Sequence, residues 1–159
     1  MKTKEMMDRE ERVITSNRRA EHDYIIVQTY EAGIVLTGTE VKSLRQGKCS
    51  IQEAYAGFPS AQSYELYLYN FHISPYKQGN IRNHEPKRPR KLLLHEHEIN
   101  RLKTATAERG MTLVPLAVYF SGRFAKIQLG LVKAKRKYDK RETTKKRETE
   151  REIRKKFRI

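Results

Sequence analysis

The apolar side chains of this 159-residue chain almost all lie before residue 133. The last 27 residues hold 14 Lys and Arg against 5 Asp and Glu, and few large apolar side chains. A segment with so little apolar surface cannot offset the conformational entropy that it loses on folding. We therefore expect a core built from residues 17–132, a loose extension over residues 1–16, and a basic tail over residues 133–159 that is disordered when free.

The tail has two interpretations. It can be a solubilising segment, as many charged runs are. It can also fold as a helix on a polyanion, because it has no Pro or Gly and places Ile153 and Phe157 four residues apart on one helical face. The basic excess of the tail favours the second interpretation.

Residues 17–132 alternate between short β patterns and two helical patterns. Residues 24–30 are rich in β-branched and aromatic side chains and predict a strand, which Glu31-Ala32-Gly33 ends as a turn. Residues 112–120 and 124–132 predict a hairpin across Ser121-Gly122-Arg123. Helices are predicted near residues 40–46 and 92–109. Without βαβ alternation, this pattern favours a mainly β fold with flanking helices, a small closed barrel.

Several classes of function have no support in the sequence. The single cysteine, Cys49, excludes a multi-thiolate metal site and an internal disulfide framework, and indicates a reducing, cytoplasmic compartment. No apolar run is long enough to span a bilayer. The sequence contains no HExxH motif and no glycine-rich phosphate loop. We therefore expect no enzyme activity, no cofactor, no metal, no membrane association and no small-molecule substrate.

The charge points to a nucleic acid. The formal net charge is +15, and basic side chains alternate with Tyr24, Tyr55, Tyr67 and Tyr76 in the barrel region. Small β-barrels use such surfaces to stack bases and neutralise phosphates, and RNA is the favoured partner. The alternative for each tyrosine is that its ring packs on the barrel rim.

Seven stretches of the chain, in order, resemble one family, SmpB, the bacterial SsrA-binding (tmRNA-binding) proteins. They are NRRAEHDY at residues 17–24, YEAG at 30–33, GTEVKSLR at 38–45, HISPY at 72–76, RKLLLH at 90–95, LVPL at 113–116 and YDKRE at 138–142. The resemblance implies an OB-like closed β-barrel. It also implies an adaptor of trans-translation that binds the tRNA-like domain of tmRNA and delivers it to stalled ribosomes.

The resemblance assigns residues to two surfaces. Those on or near the tmRNA-binding surface are Asn17, Arg19, His22, Tyr24, Glu31, Lys42, Arg45, Lys91, Leu92 and Lys126. Those at the start of the tail are Lys133, Arg136, Tyr138, Asp139, Lys140 and Arg141. The tail is expected to act as a helix in the decoding centre of the small subunit and the empty mRNA channel.

Two positions need a separate comment. Glu31 can accept a hydrogen bond from a base, hold a neighbouring Arg, or belong to the Glu-Ala-Gly turn. Ala134 stands where the family commonly has Gly, so a positive φ is less available there. A rival hypothesis also remains, a general ribosome-associated or RNA-chaperone-like basic barrel without preference for tmRNA.

Overall fold

The computed structural model describes residues 11–78, 83–108, 110–135 and 148. Within these residues the chain forms nine strands and three helices. The strands are β1 (Glu11–Ser16), β2 (Tyr24–Ile34), β3 (Cys49–Ser50), β4 (Tyr55–Gly57), β5 (Leu66–Tyr69), β6 (His72–Ile73), β7 (Arg90–Leu93), β8 (Met111–Ser121) and β9 (Phe124–Ala134). The helices are α1 (Arg18–Asp23), α2 (Gly38–Arg45) and α3 (Glu96–Thr106).

Six strands close into a ring in the order β8-β4-β5-β7-β2-β9, because β9 also pairs with β8. All of these pairings are antiparallel. β1 joins outside the ring by pairing with the second half of β8. The prediction of a mainly β fold with flanking helices and a closed sheet is confirmed.

The core lies inside this ring and is built from alternate residues of the strands. Its fully buried side chains from the ring strands include Leu66, Leu68, Leu113, Ile127 and Leu129. Leu44 of α2 and Leu102 of α3 belong to the same cluster. The helices therefore contribute apolar side chains to a core that is mostly made by the sheet.

The β8–β9 hairpin confirms the sequence prediction. The strands are joined by the two residues Gly122 and Arg123, and Gly122 has a φ of 60°. A glycine with positive φ at the first central position is the requirement of a type II′ turn, which suits the twist of a hairpin.

Two predicted boundaries in the first half of the chain were wrong. Residues 11–16 are not loose, because they form β1 and pair with β8. Glu31-Ala32-Gly33 is not a turn, because β2 continues through it with Glu31 opposite Gln128 and Gly33 opposite Lys126. A Cβ on Gly33 would lie 3.3 Å from the Leu93 Cβ, so this glycine permits close approach of β7.

The helix predicted over residues 92–109 was also wrong at its start. Leu92 and Leu93 belong to β7, where Leu92 pairs with both Leu66 and Ile34. Helix α3 begins later, at Glu96, where the Glu98 carboxylate accepts a hydrogen bond from the His95 N–H at 3.2 Å. The first helix, α1, was not predicted at all.

The boundary of the basic tail lies later than predicted. Lys133 and Ala134 are the last residues of β9, and Ala134 pairs with Tyr24. Ala134 is therefore extended, and no positive φ is needed at the position where the family commonly has Gly. Residues 136–147 and 149–159 lie outside the described residues.

Candidate nucleic-acid interface

Helix α1 presents Arg19 and His22 beside the start of β2. Asn17 caps this helix, since its Oδ1 accepts from the Ala20 N–H at 3.3 Å and its Nδ2 donates to the Pro115 carbonyl at 3.2 Å. Asn17 is only 7% exposed. The amide thus fixes α1 against β8.

The other residues of this region remain accessible. Arg19 is exposed, and its Nε lies 4.0 Å from the Asp23 carboxylate. His22 is half-buried with its Nδ1 3.1 Å from the same carboxylate, and Tyr24 is half-buried. α1 and the first residue of β2 therefore leave a cation, on Arg19, and two rings, on His22 and Tyr24, at least partly accessible.

Helix α2 carries Lys42 and Arg45 on its outer face. Both residues are exposed. The Lys42 Nζ lies 5.4 Å from the ring centroid of Tyr76, and the Arg45 guanidinium lies 5.0 Å from that of Phe120. These cation–π contacts hold the two cations above the surface without neutralising them.

The inner face of α2 is held by a buried ion cluster. The Glu40 carboxylate accepts hydrogen bonds from Arg88 and from the fully buried Arg90, and from the Thr37 N–H at 2.9 Å. Arg90 also donates to the carbonyls of Phe71 and Pro86. Burial alone would raise the pKa of Glu40, but the bonds from Arg88, Thr37 and Arg90 outweigh it and leave the pKa below 4.5.

This cluster places α2 relative to the sheet. It joins the helix to β7 and to the segment before it. Glu40 therefore serves the packing of α2 against the sheet. Its partners, about 50 residues further along the chain, could not be identified from one sequence.

Three more of the predicted residues lie on the outer face of the sheet. They are Lys91 on β7, Glu31 on β2 and Lys126 on β9. The Lys91 Nζ lies 3.2 Å from the Glu65 carboxylate, and the Lys126 Nζ lies 3.6 Å from the Glu31 carboxylate. The Leu92 side chain points the opposite way, into the core, and is only 2% exposed. Leu92 therefore supports this surface from beneath, because adjacent strand residues face opposite sides.

Glu31 takes part in a polar group of three side chains. Burial raises the pKa of Tyr119, and a hydrogen bond and charge interaction with Glu31 raise it further. Of the roles considered for Glu31, a turn residue is excluded, and the cation that it holds is Lys126 rather than an Arg. Tyr119 could not be identified as a member of this group from the sequence. It lies opposite Lys126 on the adjacent strand, and this pairing is known only from the β8–β9 register.

The predicted tail residues are almost all untested by the structure. Lys133 is exposed in β9. The others, which lie outside the described residues, are Arg136, Tyr138, Asp139, Lys140 and Arg141.

Cys49 has the environment of a structural thiol. It is half-buried on β3, and burial raises the pKa of its thiol to about 11. Near pH 8 we expect iodoacetamide to alkylate the native chain about a hundredfold more slowly than the urea-unfolded chain, because only the thiolate reacts. Mass spectrometry of timed samples measures both rates. Equal rates would contradict the structure and indicate an activated thiol.

The described residues contain no group of three His, Cys, Asp or Glu side chains arranged to hold a metal ion. In the same part of the chain, no helix has the length and apolar character needed to cross a membrane.

Comparison with known proteins identifies the family. A family model described as SmpB protein matches residues 14–159. The SsrA-binding protein of Carboxydothermus hydrogenoformans is 57% identical over 148 residues, which cover 93% of this chain and 97% of that protein. The SsrA-binding protein of Geobacillus kaustophilus is 53% identical over 149 residues, 94% of each chain.

A solved structure is also similar. It is described as "tmRNA-SmpB: a journey to the center of the bacterial ribosome", and its chain aligns with a TM-score of 0.65 and 50% identity. The alignment covers 82% of this chain and 93% of that one. With the family match extending over both the folded body and the tail, this chain belongs to the SmpB family.

Proposed function

We propose that this protein is the RNA-binding adaptor of trans-translation, which binds the tRNA-like domain of tmRNA and delivers it to stalled ribosomes. The observation that carries the proposal is the family match over residues 14–159, together with relatives named SsrA-binding protein. The protein acts in the cytoplasm, as a binding factor rather than an enzyme, and needs no cofactor.

The RNA-binding surface lies on the folded body. In this proposal, phosphates are contacted by five cations, which are Arg19, Lys42, Arg45, Lys91 and Lys126. All five are at least partly exposed and therefore accessible to RNA. His22 and Tyr24 stack on or hydrogen-bond to bases. Asn17 and Leu92 position these groups from below. Glu31 accepts a hydrogen bond from a base, and its contacts with Lys126 and Tyr119 support this role by restraining the carboxylate.

The tail has a separate role in this proposal. Its residues enter the decoding centre of the small subunit and the empty mRNA channel, with Tyr138 available to stack on an rRNA base. Recognition of tmRNA and sensing of the ribosome thus belong to different parts of the chain.

Competitive binding tests the proposal against the rival, a general RNA-binding barrel. The full chain is mixed with labelled tRNA-like domain and an excess of ordinary tRNA at about 150 mM salt, where sequence-independent binding is typically only about 10⁻⁴–10⁻⁶ M. Retention of the tRNA-like domain supports the adaptor. Equal competition by both RNAs would support the rival.

A second test concerns α2. The double change Lys42→Ala and Arg45→Ala is expected to weaken tmRNA binding roughly tenfold and to reduce the slope of log K against log salt by about two, because two phosphate contacts are lost. Binding is measured over a salt series. The control is Arg101→Ala with Arg123→Ala, which removes the same charge from exposed sites on α3 and the hairpin. An unchanged slope, or an equal loss in the control, would remove α2 from the interface.

A further inference from the structure

Three tyrosines form a row on the outer face of β4 and β5. Tyr55 and Tyr69 are directly opposite each other, with ring centroids 5.4 Å apart and planes inclined by 28°. Tyr67 follows on the same strand, with its centroid 6.5 Å from that of Tyr69. Tyr55 is 45% exposed and the other two are half-buried. We call Tyr55, Tyr69 and Tyr67 the tyrosine row.

The core does not require these rings on this side of the sheet. The inward residues of β5, Leu66 and Leu68, are completely buried and already fill the interior. The ring of Tyr69 instead extends over Gly57, where an added Cβ would lie 3.8 Å from its Cε2. The row is therefore a surface of aromatic faces and edges supported by packed leucines.

One end of the row meets a cation of the candidate interface. Tyr67 is directly opposite Lys91 on β7. The Glu65 carboxylate accepts from the Tyr67 hydroxyl at 3.1 Å and from the Lys91 Nζ at 3.2 Å. Because Glu65 is paired with Lys91, it adds no uncompensated negative charge to this end of the row.

The other end opens into a pocket beside α1. Tyr55 lines this pocket together with Arg19 and Tyr24, and its volume is about 370 Å³. Asp23 and Glu53 line it too. Two carboxylates repel phosphate but accept hydrogen bonds from the amino groups of a base, so the pocket suits a base edge while Arg19 suits the phosphate.

We propose that the tyrosine row binds unpaired nucleotides of RNA, whose bases stack on Tyr55, Tyr69 and Tyr67. The backbone of this RNA segment runs between Arg19 and Lys91. Aromatic faces accept any base, so the row recognises a single-stranded segment rather than a particular sequence. This inference rests on the proposed function and names the kind of RNA element that reaches this face of the protein.

The test uses the full chain and an oligoadenylate of about ten nucleotides as the RNA probe. Tyr55→Thr with Tyr69→Thr removes two of the three rings and is expected to weaken oligoadenylate binding by at least about fivefold, the smallest effect expected for loss of one stacked base. Thr is chosen because it suits a strand. Tyr55→Phe with Tyr69→Phe keeps the rings and is expected to bind like the wild-type chain.

The matched control is Tyr64→Thr, which removes a tyrosine that is 63% exposed and lies outside the row. Its binding should not change. Unchanged oligoadenylate binding by the Thr double variant, or an equal loss in the Tyr64 control, would overturn the inference. A duplex of the same length that binds as tightly as the oligoadenylate would overturn it as well.

A measurement on the wild-type chain keeps the inference testable if the Thr variants fail to fold. Single-stranded RNA carrying 5-iodouridine is crosslinked by light, and the modified peptides are identified by mass spectrometry. Crosslinks at Tyr55, Tyr67 or Tyr69 support the row, and crosslinks confined to other residues contradict it. Failure of the proposed function gives a different result, since the wild-type chain would then fail to prefer tmRNA over tRNA.

Discussion

A chain that ends at Lys135 is expected to bind the tRNA-like domain of tmRNA as tightly as the full chain, within a few fold, and to lose tagging of stalled translation products completely. The folded body, with all three helices and both long hairpin strands, is intact in this truncation. In the proposed function the tail is the part that enters the decoding centre, so tagging is expected to fail without it. Gel-shift binding and a reconstituted tagging assay measure the two effects separately.

The position of the cut decides whether the experiment is interpretable. A cut after Val132 would remove Lys133 and Ala134 from β9, and also the bond from the Lys135 N–H to the Asp23 carbonyl at 3.1 Å. Loss of tmRNA binding would then report damage to the sheet. For the chain that ends at Lys135, loss of most tmRNA affinity would favour the rival, in which the tail supplies the RNA binding.

Arg90→Leu is expected to lower the free energy of unfolding by about 3–5 kcal/mol, the usual cost of removing one partner of a buried ion pair. The Glu40 carboxylate would keep Arg88 but lose its fully buried partner, and the carbonyls of Phe71 and Pro86 would lose a donor. Urea unfolding followed by circular dichroism measures the change.

Arg101→Leu is the matched control for this change. Arg101 is exposed on α3, so its loss should alter the free energy of unfolding by less than about 0.5 kcal/mol. A double change of Glu40 and Arg90 to Leu should recover part of the loss, because no buried carboxylate remains. A loss below about 1 kcal/mol for Arg90→Leu would show that the cluster is not buried in solution.

Local patterns in the sequence were enough to predict the hairpin and α2. The hairpin has alternating apolar residues and a turn glycine, and α2 has Lys42 and Arg45 correctly spaced on its outer face. These features depend on neighbours within a few residues, which is the range over which a pattern can be recognised.

The errors arose where distant pairing decides the conformation. Leu92 and Leu93 fit a helical stripe equally well, and their place in β7 follows from pairing with Leu66, Ile34 and Gly33. Gly33 suggested a turn, whereas the structure shows that a glycine is needed there because β7 approaches β2 closely. The cluster of Glu40 with Arg88 and Arg90 could not be predicted for the same reason, because its members lie 48 and 50 residues apart in the sequence.

The candidate interface shows the same division. The cations of the candidate interface were assigned through the family resemblance, whereas the burial of Asn17 and Leu92 is revealed by no local pattern. Tyr119 and Tyr69 enter the site through the register of neighbouring strands.

The junction between β9 and the tail has a mechanical consequence. β9 is bonded along its length to β2 on one side and β8 on the other, and inter-strand bonds run perpendicular to the strands. Tension that acts along β9 therefore loads these bonds together rather than one after another. Lys135 adds a second attachment, since its Nζ donates to the Glu21 carbonyl at 3.1 Å. A pull along β9 would thus be shared between the sheet and α1.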